Sequence, residues 1–136
     1  MNYKYLFIDM DGVLCDFELV DEIMSGYFSN KKPIKSIIEG IKSKFPESEY
    51  VYIILSYSPS EETDKEKDIW LNNNFNVKQR LYLRYNIIDK VSAMYQVAKN
   101  NNISKENIFI IDDDLKVLKN AHKAGYHVIH PTDVLI

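Results

Sequence analysis

Five short apolar segments punctuate the chain, with longer stretches of helical spacing between them. Residues 4–9 read as a fully buried strand, apolar along its length and ending in an acid. Residues 50–55 repeat that pattern, and residues 107–111 make a third strong strand that runs into Asp112-Asp113-Asp114. Residues 80–83 have mixed polarity and predict a weak strand near a sheet edge. Residues 126–129 predict a last strand, stopped by Pro131.

Between the strands, Phe17, Val20, Ile23, Met24, Tyr27 and Phe28 recur at helical spacing until Lys31-Lys32-Pro33 breaks the pattern. Ile34, Ile37, Ile38 and Ile41 mark a second helix ending near Phe45-Pro46. After a turn at residues 56–60, residues 61–75 predict a helix, charged at first, with Ile69, Trp70 and Leu71 packing near its end. Residues 89–100 predict another, packing through Val91, Met94, Tyr95 and Ala98. Ser104 and Glu106 suggest a short capped turn. Residues 115–124 predict the last helix, with Gly125 in the usual place just after it.

Strands alternating with helices predict an α/β fold, a doubly wound parallel sheet of about five strands flanked by helices. Neither a repeat nor a low-complexity linker divides the chain, so residues 1–136 read as one domain. Residues 17–48 form a small helical insertion between the first two strands, too short for a core of its own.

Bulk properties narrow the picture by exclusion. The chain has 136 residues, 46% hydrophobic and 27% charged, an ordinary globular balance. A net charge of −3 offers no general attraction to nucleic acid or to an anionic membrane. Cys15 is the one cysteine, so no internal disulfide forms, which fits a reducing compartment. The amino terminus runs directly into a strand without the look of a leader, and the apolar runs are too short for a bilayer. A cytoplasmic protein is the expectation.

The ends of the three strong strands carry the candidate chemistry. The first ends in Asp9-Met10-Asp11-Gly12-Val13, the second in Ser56, the third in Asp112 and Asp113. In an open parallel sheet these ends converge on the edge where ligands bind. Acids from two strands suit Mg²⁺, a hard cation that takes oxygen ligands. A carboxylate beside a metal can act as nucleophile, and its neighbour as acid or base. The Ser56 loop suits a phosphate, and Lys90 is the best-placed cation to balance it, with Lys78 and Arg84 as rivals.

On these residues the chain resembles the haloacid dehalogenase-like (HAD) phosphatase superfamily over nearly its whole length. The first family motif is matched by Asp9-Met10-Asp11-Gly12-Val13 and the second by Ile53-Ile54-Leu55-Ser56. Lys90 matches the third, and Phe109-Ile110-Ile111-Asp112-Asp113 the fourth. The resemblance implies that Asp9 attacks phosphorus to form an aspartyl-phosphate and that Asp11 is the general acid and base. It implies Mg²⁺ held by Asp9, Asp11 and Asp113, with Asp112 assisting, and phosphoryl oxygens held by Ser56, Tyr57 and Lys90. The presence of Asp11 points to phosphate chemistry over dehalogenation.

Within that superfamily, residues 9–17 and the run Ser56-Tyr57-Ser58-Pro59 are similar to the 5′(3′)-deoxyribonucleotidases. That branch implies a small phosphorylated substrate of nucleotide type, with Phe17 and Ser58 in the substrate pocket. The chain departs from it in having a reduced cap, so the base pocket is either incomplete or completed by another subunit, as in a homo-oligomer. Phosphatases of sugar phosphates, of other metabolites or of macromolecules stay open, as do a phosphotransferase and a non-catalytic phosphate- or metal-binding module.

Plainer roles compete at several positions. Phe17 reads as helix core or base platform, Tyr57 as pocket wall or exposed turn, and Ser58 as phosphate contact or turn stabiliser. Asp16 and Asp114 read as helix N-caps. Cys15 reads as a small buried residue, and His122, His127 and His130 as structural histidines.

Overall fold

The computed structural model describes residues 3–16 and 28–135. Five strands, β1 (Lys4–Ile8), β2 (Tyr50–Tyr57), β3 (Gln79–Leu83), β4 (Ile108–Ile111) and β5 (His127–Ile129), form one parallel sheet in the order β3-β2-β1-β4-β5. Four helices connect them: α1 (Lys35–Lys44), α2 (Glu61–Asn74), α3 (Lys90–Asn100) and α4 (Leu115–Lys123). The chain winds outward from β1 to β3, then crosses to β4 on the other side of β1. That reversal puts the topological switch point between β1 and β4, where the crevice of such sheets opens.

Alternation along each strand divides the core between the two faces of the sheet. Leu6, Ile8, Ile54 and Ile111 face Ile37, Ile38 and Ile41 of α1 and Trp70 and Leu71 of α2. Phe7, Ile53, Leu55 and Ile110 face Ala93, Met94 and Ala98 of α3 and Leu118 and Ala121 of α4. Both faces are covered, which is why the central strands are apolar throughout. Weak, mixed-polarity β3 is an edge strand, as its composition predicts.

The structure corrects several sequence readings. β2 runs on through Ser56 and Tyr57, since β3 supplies ladder partners at Tyr82 and Leu83. Ile69 is 51% exposed and Tyr95 58% exposed. The buried stripes run instead through Thr63, Lys67, Trp70 and Leu71 on α2 and Lys90, Ala93, Met94 and Ala98 on α3. The short turn after Ser104 forms, with the Ser104 carbonyl accepting from the Asn107 N–H, but the Ser104 hydroxyl caps no backbone N–H and accepts from the Asn107 side chain. The helix predicted from Phe17 falls, up to residue 27, outside the described residues, and Phe28 begins a turn. Within the 17–48 segment, α1 lies against the sheet as the crossover between β1 and β2.

Other expectations hold. Gly125 follows α4 at φ +95°, a left-handed conformation that suits glycine. Asp114 caps α4 by accepting from the Lys116 N–H. Cys15 is buried. The histidines stand apart: His127 stacks on Phe109, and His130 caps the short 3₁₀ turn Pro131–Val134. Among the described residues no helix is long and apolar enough to cross a membrane.

Candidate active site

The loop after β1 is wound tightly, and backbone bonds fix its course. The Asp9 N–H donates to Ile111 O at 3.1 Å, tying the loop to β4. The carbonyl of Met10 accepts from the N–H groups of Val13, Leu14 and Cys15. Gly12 takes φ +79°, and a Cβ there would stand 2.0 Å from Asp113 Oδ2. Glycine is therefore required twice, by the backbone and by the approach of the β4 acid. Gly12→Ala is expected to cost at least about 1–2 kcal/mol, read as a lower urea midpoint. An unchanged midpoint would mean that the two loops are not locked together.

Asp112 follows β4 and is completely buried. Its Oδ1 accepts from the Asp114 N–H at 2.9 Å and its Oδ2 from Lys90 Nζ at 2.6 Å. Lys90 opens α3, behind an N-cap in which Asp89 accepts from the Ser92 N–H. Its Nζ also lies 3.0 Å from Asp9 Oδ1 and 5.3 Å from the Tyr57 ring centroid. Asp9, Asp112 and Asp113 each bring a carboxylate oxygen into one cluster within 4.8 Å. This donor set is all oxygen and drawn from two strands, as a hard divalent cation prefers.

Burial dominates the electrostatics of this cluster. Burial pushes the Asp9 carboxyl up to about 8, with Asp112 and Asp113 adding to the shift and Lys90 opposing it. Asp113 is raised too, by burial and by Asp112. Burial disfavours the charge on Lys90, but Asp9 and Asp112 outweigh it and hold the ammonium above its ordinary range.

A second layer of cations lies behind this cluster. Lys31 Nζ pairs with Asp11 Oδ1 at 2.6 Å, and the Lys31 carbonyl accepts from Trp70 Nε1 at 2.7 Å. Lys67 of α2 is completely buried, and its Nζ donates to Ser56 Oγ at 2.7 Å and to Tyr57 O. Both ammoniums sit over the ring of Phe28, at 4.9 and 4.6 Å from its centroid. Burial pushes Lys67 below its ordinary value, against the pull of Asp11 and Asp9. Cys15 donates weakly to Asp11 Oδ1, but burial, then the Asp11 charge, pushes its thiol upward, away from a reactive thiolate.

Asp9, Asp11, Ser56, Tyr57, Lys90, Asp112 and Asp113 therefore line one cleft of about 390 Å³. Ser58 does not join them: it is fully buried, its N–H donates to Leu83 O and its hydroxyl to Ser60 O. Arg84 is engaged by Asp64 through two contacts, at 3.1 and 2.8 Å. Lys78 precedes β3, so it stands at the amino end of the sheet, away from the acids. Phe17 lies outside the described residues. Lys31 and Lys67 escaped the sequence reading. Lys67 left one signal in the sequence, its place three and four residues before Trp70 and Leu71, on their helical face.

No protein-family model and no curated sequence matches the chain. Solved structures do match its fold. A haloacid dehalogenase-like family hydrolase from Streptococcus pneumoniae superposes with TM-score 0.64 at 13% identity, over 93% of this chain and 83% of that one. A HAD family enzyme from Bacteroides thetaiotaomicron, solved with magnesium and inorganic phosphate, gives TM-score 0.61 at 16% identity, over 95% and 94%. The 3-deoxy-D-manno-octulosonate 8-phosphate phosphatase of Moraxella catarrhalis, in complex with magnesium, phosphate and its sugar, gives 0.58 at 20%, over 87% and 62%. The chain has the haloacid dehalogenase-like fold.

Proposed function

We propose that the protein is a Mg²⁺-dependent phosphomonoesterase that works through an aspartyl-phosphate on Asp9. The observation that carries this reading is Lys90 Nζ lying between Asp9 and Asp112 at the switch point, beside Asp113. The magnesium and phosphate bound by structures of the same fold support it. Mg²⁺ would be held by the carboxylates of Asp9, Asp112 and Asp113 and by the backbone carbonyl of Asp11, where it would neutralise charge on the phosphoryl oxygens.

In the first step the Asp9 carboxylate attacks phosphorus and the bond to the ester oxygen breaks. The leaving oxygen takes a proton from Asp11. In the second step water attacks the aspartyl-phosphate, gives its proton to Asp11 and frees the Asp9 carboxylate. Ser56, held by Lys67, and Lys90 bind the transferring oxygens. Lys31 fixes the orientation of the Asp11 carboxyl through Oδ1. A nucleoside monophosphate is the leading substrate class, supported by the similarity of residues 9–17 to the deoxyribonucleotidases. Phosphate release from nucleoside monophosphates, sugar phosphates and an aryl phosphate tests both levels. Release from sugar phosphates alone would keep the chemistry and overturn the nucleotide.

The buried Asp9 carboxyl gives a pH dependence with a definite sign. The Asp9 carboxyl rises from 3.8 to about 8 on folding. The folded protein thus holds a proton that the unfolded chain releases, and stability from this group falls as pH rises between about 4 and about 8. A cation bound there competes with that proton, so its binding tightens across the same window. Millimolar Mg²⁺ is expected to raise the Tm by a few degrees at pH 8 and by much less at pH 5. Thermal scans at both values check this; an equal shift at both would place the cation elsewhere.

A further inference from the structure

The acid-lined cleft opens into a larger one, of about 710 Å³, between α4 and the turn after β3. The two share Tyr57, Tyr85, Lys90, Asp114 and Val117. The rings of Tyr57 and Tyr85 stack with centroids 4.8 Å apart and planes 19° from parallel. Tyr57 is anchored to the chemistry: its hydroxyl accepts from the Lys90 N–H, and Lys90 Nζ sits over its ring. Tyr85, by contrast, is 61% exposed, and Ile87 beside it is 78% exposed. An aromatic shelf is thus built outward from the lysine that pairs with Asp9.

The charges along this cleft select what it takes. Asp89 and Asp114 are both spent on helix N-caps. Lys90 is already engaged by Asp9 and Asp112, so Lys116 is the one cation along the lining left to set against their two negative charges. A second phosphate or a carboxylate gains nothing from such a surface. A neutral flat ring gains the face of Tyr85 and the apolar flank of Ile87, with the amides of Asn86 and Asn120 at hand for polar atoms on its rim.

We infer that this cleft seats the leaving group of the phosphomonoester, that the group carries a neutral planar ring of aryl or nucleobase type, and that Tyr85 is the face on which it stacks. The inference rests on the phosphomonoesterase reading and adds to it the class of leaving group and the residue that selects it.

Titration calorimetry with phenylphosphonate and methylphosphonate in the presence of Mg²⁺ tests it without turnover. Phenylphosphonate is expected to bind the wild type roughly 3–10-fold more tightly than methylphosphonate. In Tyr85→Ala that advantage should vanish; in Tyr85→Phe it should persist. Equal affinities in the wild type, or an advantage that survives Tyr85→Ala, would overturn this inference and leave the phosphatase intact. Failure of both phosphonates to bind would overturn the phosphatase reading and this inference with it.

Discussion

Asp9→Asn is expected to lower phosphate release by at least about 10⁴-fold, because the group that attacks phosphorus is gone. Asparagine has almost the same shape as aspartate, so the loop keeps its backbone bonds to Ile111 and within residues 10–15. The substitution removes one of three crowded carboxylates, whose charge burial already disfavours. The metal-free variant is therefore expected to melt no lower than the wild type at pH 8. Initial rates with an aryl phosphate, paired with thermal scans, separate chemistry from folding. Activity within tenfold of the wild type would mean that Asp9 is not the nucleophile.

Lys90→Met is expected to be the most damaging single change to the fold of the site. Lys90 is 4% exposed, and its ammonium touches both Asp9 and Asp112. Methionine fills the space but leaves buried carboxylates without that cation, a loss of about 3–5 kcal/mol where one partner of a buried pair is removed. Proton uptake by the orphaned Asp9 relieves part of this at low pH. The sign is fixed: Lys90 holds the Asp9 carboxyl down against burial, so without it that folded pKa rises further and the loss grows as pH rises. Urea unfolding should show a larger deficit at pH 8 than at pH 5, and Mg²⁺ should recover part of it. A deficit that does not depend on pH would indicate lost packing alone.

The acids and Lys90 were legible in the sequence because parallel topology does the gathering. Once residues 4–9 and 107–111 are read as neighbouring buried strands, Asp9, Asp112 and Asp113 must meet at one edge. Lys90 followed as the first residue of the helix that leads into β4. The helix faces were harder. Trp70, Leu71, Met94 and Ala98 pack as expected, but Ile69 and Tyr95 are apolar yet exposed and Lys67 is charged yet buried, so hydropathy alone blurred the edges of the packed side of α2 and α3. Lys67 can lie inside because Ser56 Oγ and Tyr57 O receive its ammonium.

Lys31 was hidden for a different reason. It stands 20 residues from Asp11, in a run that reads only as a helix breaker. What brings it back is a set of backbone bonds with no sequence signature: Asp16 N–H to Lys32 O, and Ile34 N–H to Leu14 O. Trp70 then holds the Lys31 carbonyl from α2. Nearby, Ser56 and Tyr57 were placed in a turn because polar residues usually end strands, yet pairing with β3 extends β2 through both.

Mg²⁺-dependent release of inorganic phosphate from phenyl phosphate and a set of nucleoside monophosphates is the most direct test of the proposed chemistry. Release that requires Mg²⁺, disappears with chelator and returns when the metal is restored is the expected result. Mg²⁺ binding to the acid cluster with no phosphate released from any ester would contradict it and leave a site that binds without turning over.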